Sequence, residues 1–373
     1  MHTHETFNET SLNADLASRR RLLLGGLAGV ASAAGWTGTA HALPTKLLTF
    51  PRDRGSHPEF RTEWWYLTGR AVSGGTESRT FGFQITFFRS RVESTQGMAS
   101  KFSAKQLIFA HAAVTDVQGK KLWHDQRIAR DGFGVASASK QDMGIKLRDW
   151  SLQAEGGNYL AELTAADFAL KLQFAETEVV LLQGNQGLSR KGPEEKQASY
   201  YYSQPQLATR GSVQVQGQTF QVVGKAWLDH EWSDEFLSPT AIGWDWIGMN
   251  LNDGSALTAF RLRDKDSHTV WDGGSFRSAK GELHSYTRGD VTFKPVRVWK
   301  SPLSQALYPV EWLVRTPENF YTVRAVIDNQ ELDSRASTGA IYWEGLSELI
   351  DSTGKRMGSG YLEMTGYAQA LRL

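Results

Sequence analysis

The sequence predicts an all-β fold of antiparallel barrels, closed or nearly closed. Three observations carry that expectation: apolar residues alternate with period two along most of the chain, glycine- and asparagine-rich turns separate those runs, and long stretches of helical periodicity are nearly absent. Closure suits many short strands because it removes the unpaired edges an open sheet exposes.

The elements follow in order. Residues 57–69, H-P-E-F-R-T-E-W-W-Y-L-T-G, read as a strand with Arg61, Glu63, Trp65 and Leu67 on one side and Thr62, Trp64, Tyr66 and Thr68 on the other. In residues 80–89, T-F-G-F-Q-I-T-F-F-R, the residues Phe81, Phe83, Ile85 and Phe87 share a face, predicting a half-buried strand. Strand-and-turn signals recur at 111–123 around Gln118-Gly119, at 213–223 around Gly217, and at 321–332 around Asp328-Asn329. Residues 244–263 predict the clearest hairpin, turning at Asn252-Asp253-Gly254. Residues 163–174 are ambiguous between helix and strand, and 302–307 are expected to form a short helical turn. Residues 184–199 read as a polar, glycine-rich loop, either a lid or a connection.

The chain has 373 residues, more than one core usually supports, so two domains are expected, divided near 236–239 where L-S-P-T interrupts the strands. This gives a domain over 43–235 and a second over 236–373. Forty-one Lys and Arg against 40 Asp and Glu leave the chain nearly neutral, which argues against a nucleic-acid partner.

Residues 1–42 read as an export signal. The run S-R-R-R-L-L-L, a weakly apolar glycine-rich stretch and Ala40-His41-Ala42 match a twin-arginine signal, cleaved near Ala42 and read by the twin-arginine export machinery. The apolar run over 22–35 is too short and too interrupted to serve as a stable membrane anchor. A periplasmic location follows. With no cysteine, folding cannot depend on oxidation, and thiolate metal sites and thiol nucleophiles are excluded.

Residues 226–235, A-W-L-D-H-E-W-S-D-E, are the most informative stretch. On a strand, Trp227, Asp229 and Glu231 face one way and Leu228, His230 and Trp232 the other, so an ionisable group stands beside an indole on each face. Neither a solvated charge run nor an ordinary core strand has this composition, and a pocket wall is expected. At the division between domains, such a pocket would lie at a seam.

No G-x-S-x-G, G-x-x-x-x-G-K-[ST] or G-x-G-x-x-G occurs, which argues against a nucleophile-elbow hydrolase and against nucleotide cofactors. His230-Glu231-x-x-Asp234 is a poor relative of H-E-x-x-H, which needs a helix, so neither metal nor cofactor is expected. Glu63 is either a structural partner of an arginine or a pocket acid. Tyr200 and Tyr202, in A-S-Y-Y-Y-S-Q-P, would share a face and could orient a polar group, or simply close the core. His111, in F-A-H-A-A-V-T-D, is a core histidine or a general base.

Taken in order, E-W-W-Y-L-T-G, F-F-R, H-A-A-V-T-D, L-S-R-K-G-P followed by Y-Y-Y-S-Q-P, W-L-D-H-E-W-S and G-W-D-W-I-G-M-N-L resemble the AttH-like, carotenoid 1,2-hydratase (hydroxyneurosporene synthase) superfamily across nearly all of the chain after residue 42. The resemblance implies two lipocalin-like (calycin-type) β-barrels with a ligand site near their junction. It also implies relatives that hydrate terpenoid double bonds, fungal pericyclases, and exported members labelled secreted hydrolases. Tyr200 and Tyr202 stand where a carotenoid hydratase would present a histidine and an indole.

The function expected is binding of a hydrophobic, terpenoid- or lipid-like small molecule, with hydration of a C=C bond as its chemistry. Asp229 is the expected acid, since burial beside Trp227 would keep it protonated. The indoles of Trp227, Trp65, Trp244 and Trp246 would flank the substrate, and a cation over an indole face is worth on the order of 0.5 to 2 kcal/mol. His230 and Tyr202 are candidate catalytic partners, with His230 reaching the substrate only across a strand bulge. Glu63, His111 and Tyr200 complete the candidate pocket. Two alternatives stay open: a non-catalytic carrier or accessory of an ABC-type export system, and a hydrolase using a carboxylate-activated water.

Overall fold

Period-two alternation becomes two antiparallel sheets in the computed structural model, which describes residues 42–371. The expected twin-arginine segment lies outside the described residues. Among the described residues the only helical turns are the 3₁₀ segments Arg52–Arg54 and Glu93–Thr95, and no helix is long and apolar enough to cross a membrane.

The first sheet is a nearly closed barrel. Thr62–Ser73 lies within it, with Thr80–Arg91, Gln106–Asp116 and Lys121–Arg130 meandering outward on one side. On the other side it pairs with Gln218–Glu235, the last strand of the sheet. Ala198–Val215, Phe168–Ala175, Asn158–Thr164 and three short strands continue that half to Ala136–Ala138. Arg127, on one end strand, stands 4.7 Å over the ring of Trp150 from the short strands at the other end of the sheet.

The second sheet, a half-barrel, begins at Gly243 and repeats the plan. Its first strand Gly243–Leu251 pairs with its last, Arg356–Met364, and with Ala256–Arg263. Two lipocalin-like barrels are the architecture expected from sequence. Each has its own apolar interior: Trp65, Phe83, Ile85 and Leu228 in the first, Ile247, Trp312, Trp343 and Leu362 in the second.

Several local expectations change. The strand Thr80–Arg91 is buried on both faces, because Gln84 and Thr86 on its outer face also lie beneath other chain segments. Residues 163–174 belong to the hairpin Asn158–Thr164 and Phe168–Ala175, their apolar side chains alternating into the barrel. Residues 302–307 turn without making a helix. Phe320–Ala325 and Glu331–Ser334 do not pair with each other; both pair with Ala340–Asp351. The polar stretch 184–199 is no free lid, since Leu188–Arg190 pairs with Ala198–Val215 and Lys191 is buried.

Candidate active site at the seam of two sheets

The strand Gln218–Glu235 keeps an unbroken register with Thr62–Ser73 through residues 222–233, so its side chains alternate strictly. Asp229 lies opposite Tyr66 on one neighbour and Ser203 on the other, and Glu231 opposite Trp64 and Tyr201. This outer face meets the second sheet, where Trp227, Tyr66, Trp246, Phe260, Leu346 and Tyr361 pack together. The inner face, with Leu228, His230 and Trp232, turns into the first barrel.

Asp229 is 3% exposed. Its carboxyl meets three neutral groups: Tyr201 Oη at 2.7 Å, Ser203 Oγ at 2.5 Å and Trp227 Nε1 at 2.7 Å. Trp246 Nε1, from the second sheet, donates to Tyr201 Oη at 3.3 Å. Burial pushes the Asp229 carboxyl up to about 7 against the opposing pull of these hydrogen bonds, and the nearby Glu231 charge adds to the rise. The result is an acid that holds a proton near neutral pH.

Glu231 has a different environment. Ser199 donates to it, and the buried Lys191 Nζ lies 2.9 Å away. Burial raises its carboxyl while Lys191 opposes the rise. Lys191 also stands over the rings of Phe260, at 4.4 Å, and Tyr201, at 4.6 Å.

The second sheet supplies two more acids. Glu344 and Glu363 are directly opposed on Ala340–Asp351 and Arg356–Met364. Burial pushes Glu363 up to about 7, against a hydrogen bond from Trp244 and with help from the Asp229 and Glu231 charges. Glu344 is raised further, by burial and then by the charge of Glu363.

A cavity of about 310 Å³ lies between these walls, lined by all four acids and by Trp64, Phe88, Phe109, Trp244 and Trp246. His111 also reaches it, but both ring nitrogens are engaged, with Tyr342 Oη at 2.8 Å and Ser337 Oγ at 2.9 Å. Burial and neighbouring His124 bring its pKa down to about 3, so the neutral ring ties strand Gln106–Asp116 to the second sheet.

The structure therefore gathers Asp229, Trp244, Trp246 and His111 at one cavity and places Trp227 against the Asp229 carboxyl. His230, Tyr202, Tyr200 and Trp65 lie on the opposite face, because no bulge interrupts the register at 229–230. Trp65 stacks on His230 at 4.7 Å, Tyr202 meets the same ring edge-on at 5.4 Å, and Tyr200 Oη donates to the Pro44 carbonyl at 2.5 Å. Glu63 reaches the cavity margin, yet its carboxylate is held from the other side. It accepts from Arg89 Nε at 2.7 Å and from the His57 backbone N at 2.9 Å, with His57 Nδ1 at 2.8 Å and His230 Nε2 at 2.9 Å. Burial would raise Glu63; hydrogen bonds from His230 and His57 outweigh it and hold the carboxylate well below its usual range. Burial likewise lowers His230 to about 4, despite Glu63.

His57, Glu63 and His230 could each offer a ligand atom to one cation, as could Asp264, Asp266 and His268 on an exposed turn. In the first cluster Arg89 already neutralises Glu63, and Asp53 engages His57 Nε2 at 2.9 Å, which makes it a closed ion-pair network. Tyr201, Glu344, Glu363 and Lys191 are the site residues that sequence reasoning missed.

Comparison with known proteins agrees with this architecture. The AttH-like family profile matches residues 41–367. An AttH-type protein from Nitrosomonas europaea, known as a crystal structure, is 45% identical, covers 87% of this chain and 99% of its own, and superposes with a TM-score of 0.81. Kievitone hydratase from Nectria haematococca is 12% identical over 91% of this chain and 97% of its own, with a TM-score of 0.67, a likeness of fold. A search of curated proteins returns no match.

Proposed function

Because the chain belongs to the AttH-like family, we propose that it takes an apolar, terpenoid-like molecule into the seam cavity and adds water across a C=C bond by acid catalysis. One observation carries the reading: Asp229, buried among neutral hydrogen-bonding groups with no cation paired to it among the described residues, stays protonated near neutral pH at an aromatic cavity. It would donate that proton to the less substituted alkene carbon, leaving a tertiary cation. Trp244 and Trp246 would face the cation with their rings. Water then forms the new C–O bond and releases a proton. That kievitone hydratase shares this fold supports the reaction class. Export through the twin-arginine pathway to the periplasm, with cleavage near Ala42, belongs to the same proposal.

The test is incubation of the purified protein with a panel of terpenoid alkenes in ¹⁸O-water, followed by mass spectrometry. Label in a tertiary alcohol is expected from the wild type and absent from Asp229→Asn; equal labelling by both proteins removes the assignment. A carrier reading is favoured by a single feature, that three neutral partners satisfy Asp229 without any substrate. Extraction of the protein from its own cell compartment separates the two, since a carrier yields an unaltered ligand and no hydrated product.

A further inference from the structure

The carboxyls of Glu344 and Glu363 are the feature of the cavity that the acid role of Asp229 leaves unexplained. Directly opposed residues on antiparallel strands hold their Cβ atoms about 4.5 to 5.5 Å apart on one face, and like charges there repel. Both residues are on the seam face, since their neighbours Trp343, Leu362 and Met364 fill the interior of the second barrel. Among the described residues no arginine or lysine pairs with either carboxyl. Two ionised carboxylates on one face at that spacing, out of water and without a paired cation, repel strongly, so at least one of the two holds a proton.

A second observation points to a ligand. Glu344 is 2% exposed, and its carboxyl lies beside Tyr66 and Tyr342; yet among the described residues neither its Oε1 nor the buried Tyr66 Oη completes a hydrogen bond of normal geometry. Both side chains line the cavity. Tyr66 belongs to the first sheet, opposite Asp229 in register, whereas Glu344 belongs to the second. Buried polar atoms are nearly always satisfied, so an acceptor and a phenol that approach from opposite walls without closing a good bond mark the place of a small polar group beside them.

Resting on the hydration reading, we propose that Glu344 and Glu363 form a carboxyl dyad holding one shared proton, which with Tyr66 Oη seats the water that adds to the substrate. The dyad's free carboxylate oxygen accepts one water proton as the oxygen bonds to the tertiary carbon. The Asp229 proton has by then gone to the other alkene carbon. Alkene and water become alcohol, and the proton gained by the dyad leaves to solvent as Asp229 is reprotonated, so no redox partner is needed. The groups facing the dyad are Tyr66, Asp229, Glu231 and Lys191 from the first sheet's side, and Tyr342, Tyr361 and Trp244 from the second.

The experiment has two arms. In the first, glutamate ¹³Cδ shifts of the protein alone are followed by NMR between roughly pH 5 and pH 9, with Glu344→Gln and Glu363→Gln used for assignment. A dyad predicts two resonances that titrate together and hold one proton near neutral pH, and a changed titration of either residue when the other becomes Gln. Independent titration, or two carboxyls that stay protonated throughout, overturns the dyad. In the second arm the ¹⁸O assay is repeated with both variants. Loss of about 10²-fold in kcat with KM little changed is expected. Wild-type turnover by both variants overturns the water-holding role while leaving Asp229 untouched. If even the wild type turns nothing over, the hydration reading fails, and the first arm still decides the dyad.

Discussion

Asp229 and His230 are consecutive in sequence and work in separate compartments: the carboxyl of Asp229 faces the seam between the sheets, and the ring of His230 lies inside the first barrel, 2.9 Å from Glu63. One peptide unit thus joins a neutral-partnered acid to a charged structural network. Substitutions on either side of that peptide should have different consequences.

Asp229→Asn should abolish hydration and leave the fold intact, because the amide keeps the shape and can still bond Ser203 and Tyr201. The sign of its stability effect follows from linkage. The folded-state pKa is raised to about 7 from 3.8, so the native state binds the proton more tightly than the unfolded chain. Wild-type stability relative to the variant should therefore be greatest below about pH 4 and fall by on the order of 1.4 kcal/mol per pH unit up to about pH 7, then level off. Denaturant titrations of both proteins across that range check it.

Tyr201→Phe removes a hydrogen bond that favours the charged form of Asp229. The alkaline limb of the pH–rate profile should move upward. An unchanged limb would show that Asp229 is not the group being titrated.

Glu63→Gln should destabilise the protein by about 3 to 5 kcal/mol, since Arg89 would be left buried beside a neutral group. In the wild type the depressed Glu63 pKa contributes stability that is present above its unfolded value of about 4.5 and lost as pH falls. Urea unfolding at neutral and at acid pH reads both effects. Any turnover that survives should keep its wild-type pH profile, because the cavity acids are untouched.

Gly82→Val should part the two sheets. A Cβ at Gly82 would stand 2.7 Å from Tyr361 Oη and 2.9 Å from Leu346 Cβ, both on the second sheet. A cost of about 1 to 3 kcal/mol is expected, with ligand affinity falling as the cavity walls separate. Thermal melts with and without an extracted ligand measure both.

The all-β class was legible in period-two alternation along the chain, and the shared face of Trp227, Asp229 and Glu231 in the same alternation within one strand. So was the turn at Asn252-Asp253-Gly254, which joins Gly243–Leu251 to Ala256–Arg263. The tyrosines show where local reading ends. Alternation says that Tyr200 and Tyr202 share a face and Tyr201 takes the other, but only long-range pairing decides which face meets Asp229. The register Tyr201↔Glu231 and Ser203↔Asp229 assigns Tyr201 to the site. Glu344 and Glu363 carried a faint signal, each the one acid in a short apolar run, A-I-Y-W-E-G-L and G-Y-L-E-M. Their opposition is a tertiary fact. The burial of Gln84 and Thr86 likewise depends on a covering that alternation within their own strand does not encode.

The pairing of each sheet's first strand with its last governs how the molecule is made. Glu63 meets His230 at a sequence separation of 167, so a nascent chain emerging from the ribosome carries an unfinished barrel until that late segment arrives. The same holds for Gly243–Leu251, which waits for Arg356–Met364. A frameshift or nonsense codon shortly before Arg356 would delete Glu363, leave the central edge of the half-barrel bare, and turn a product nearly complete in length into a substrate for chaperones and proteases.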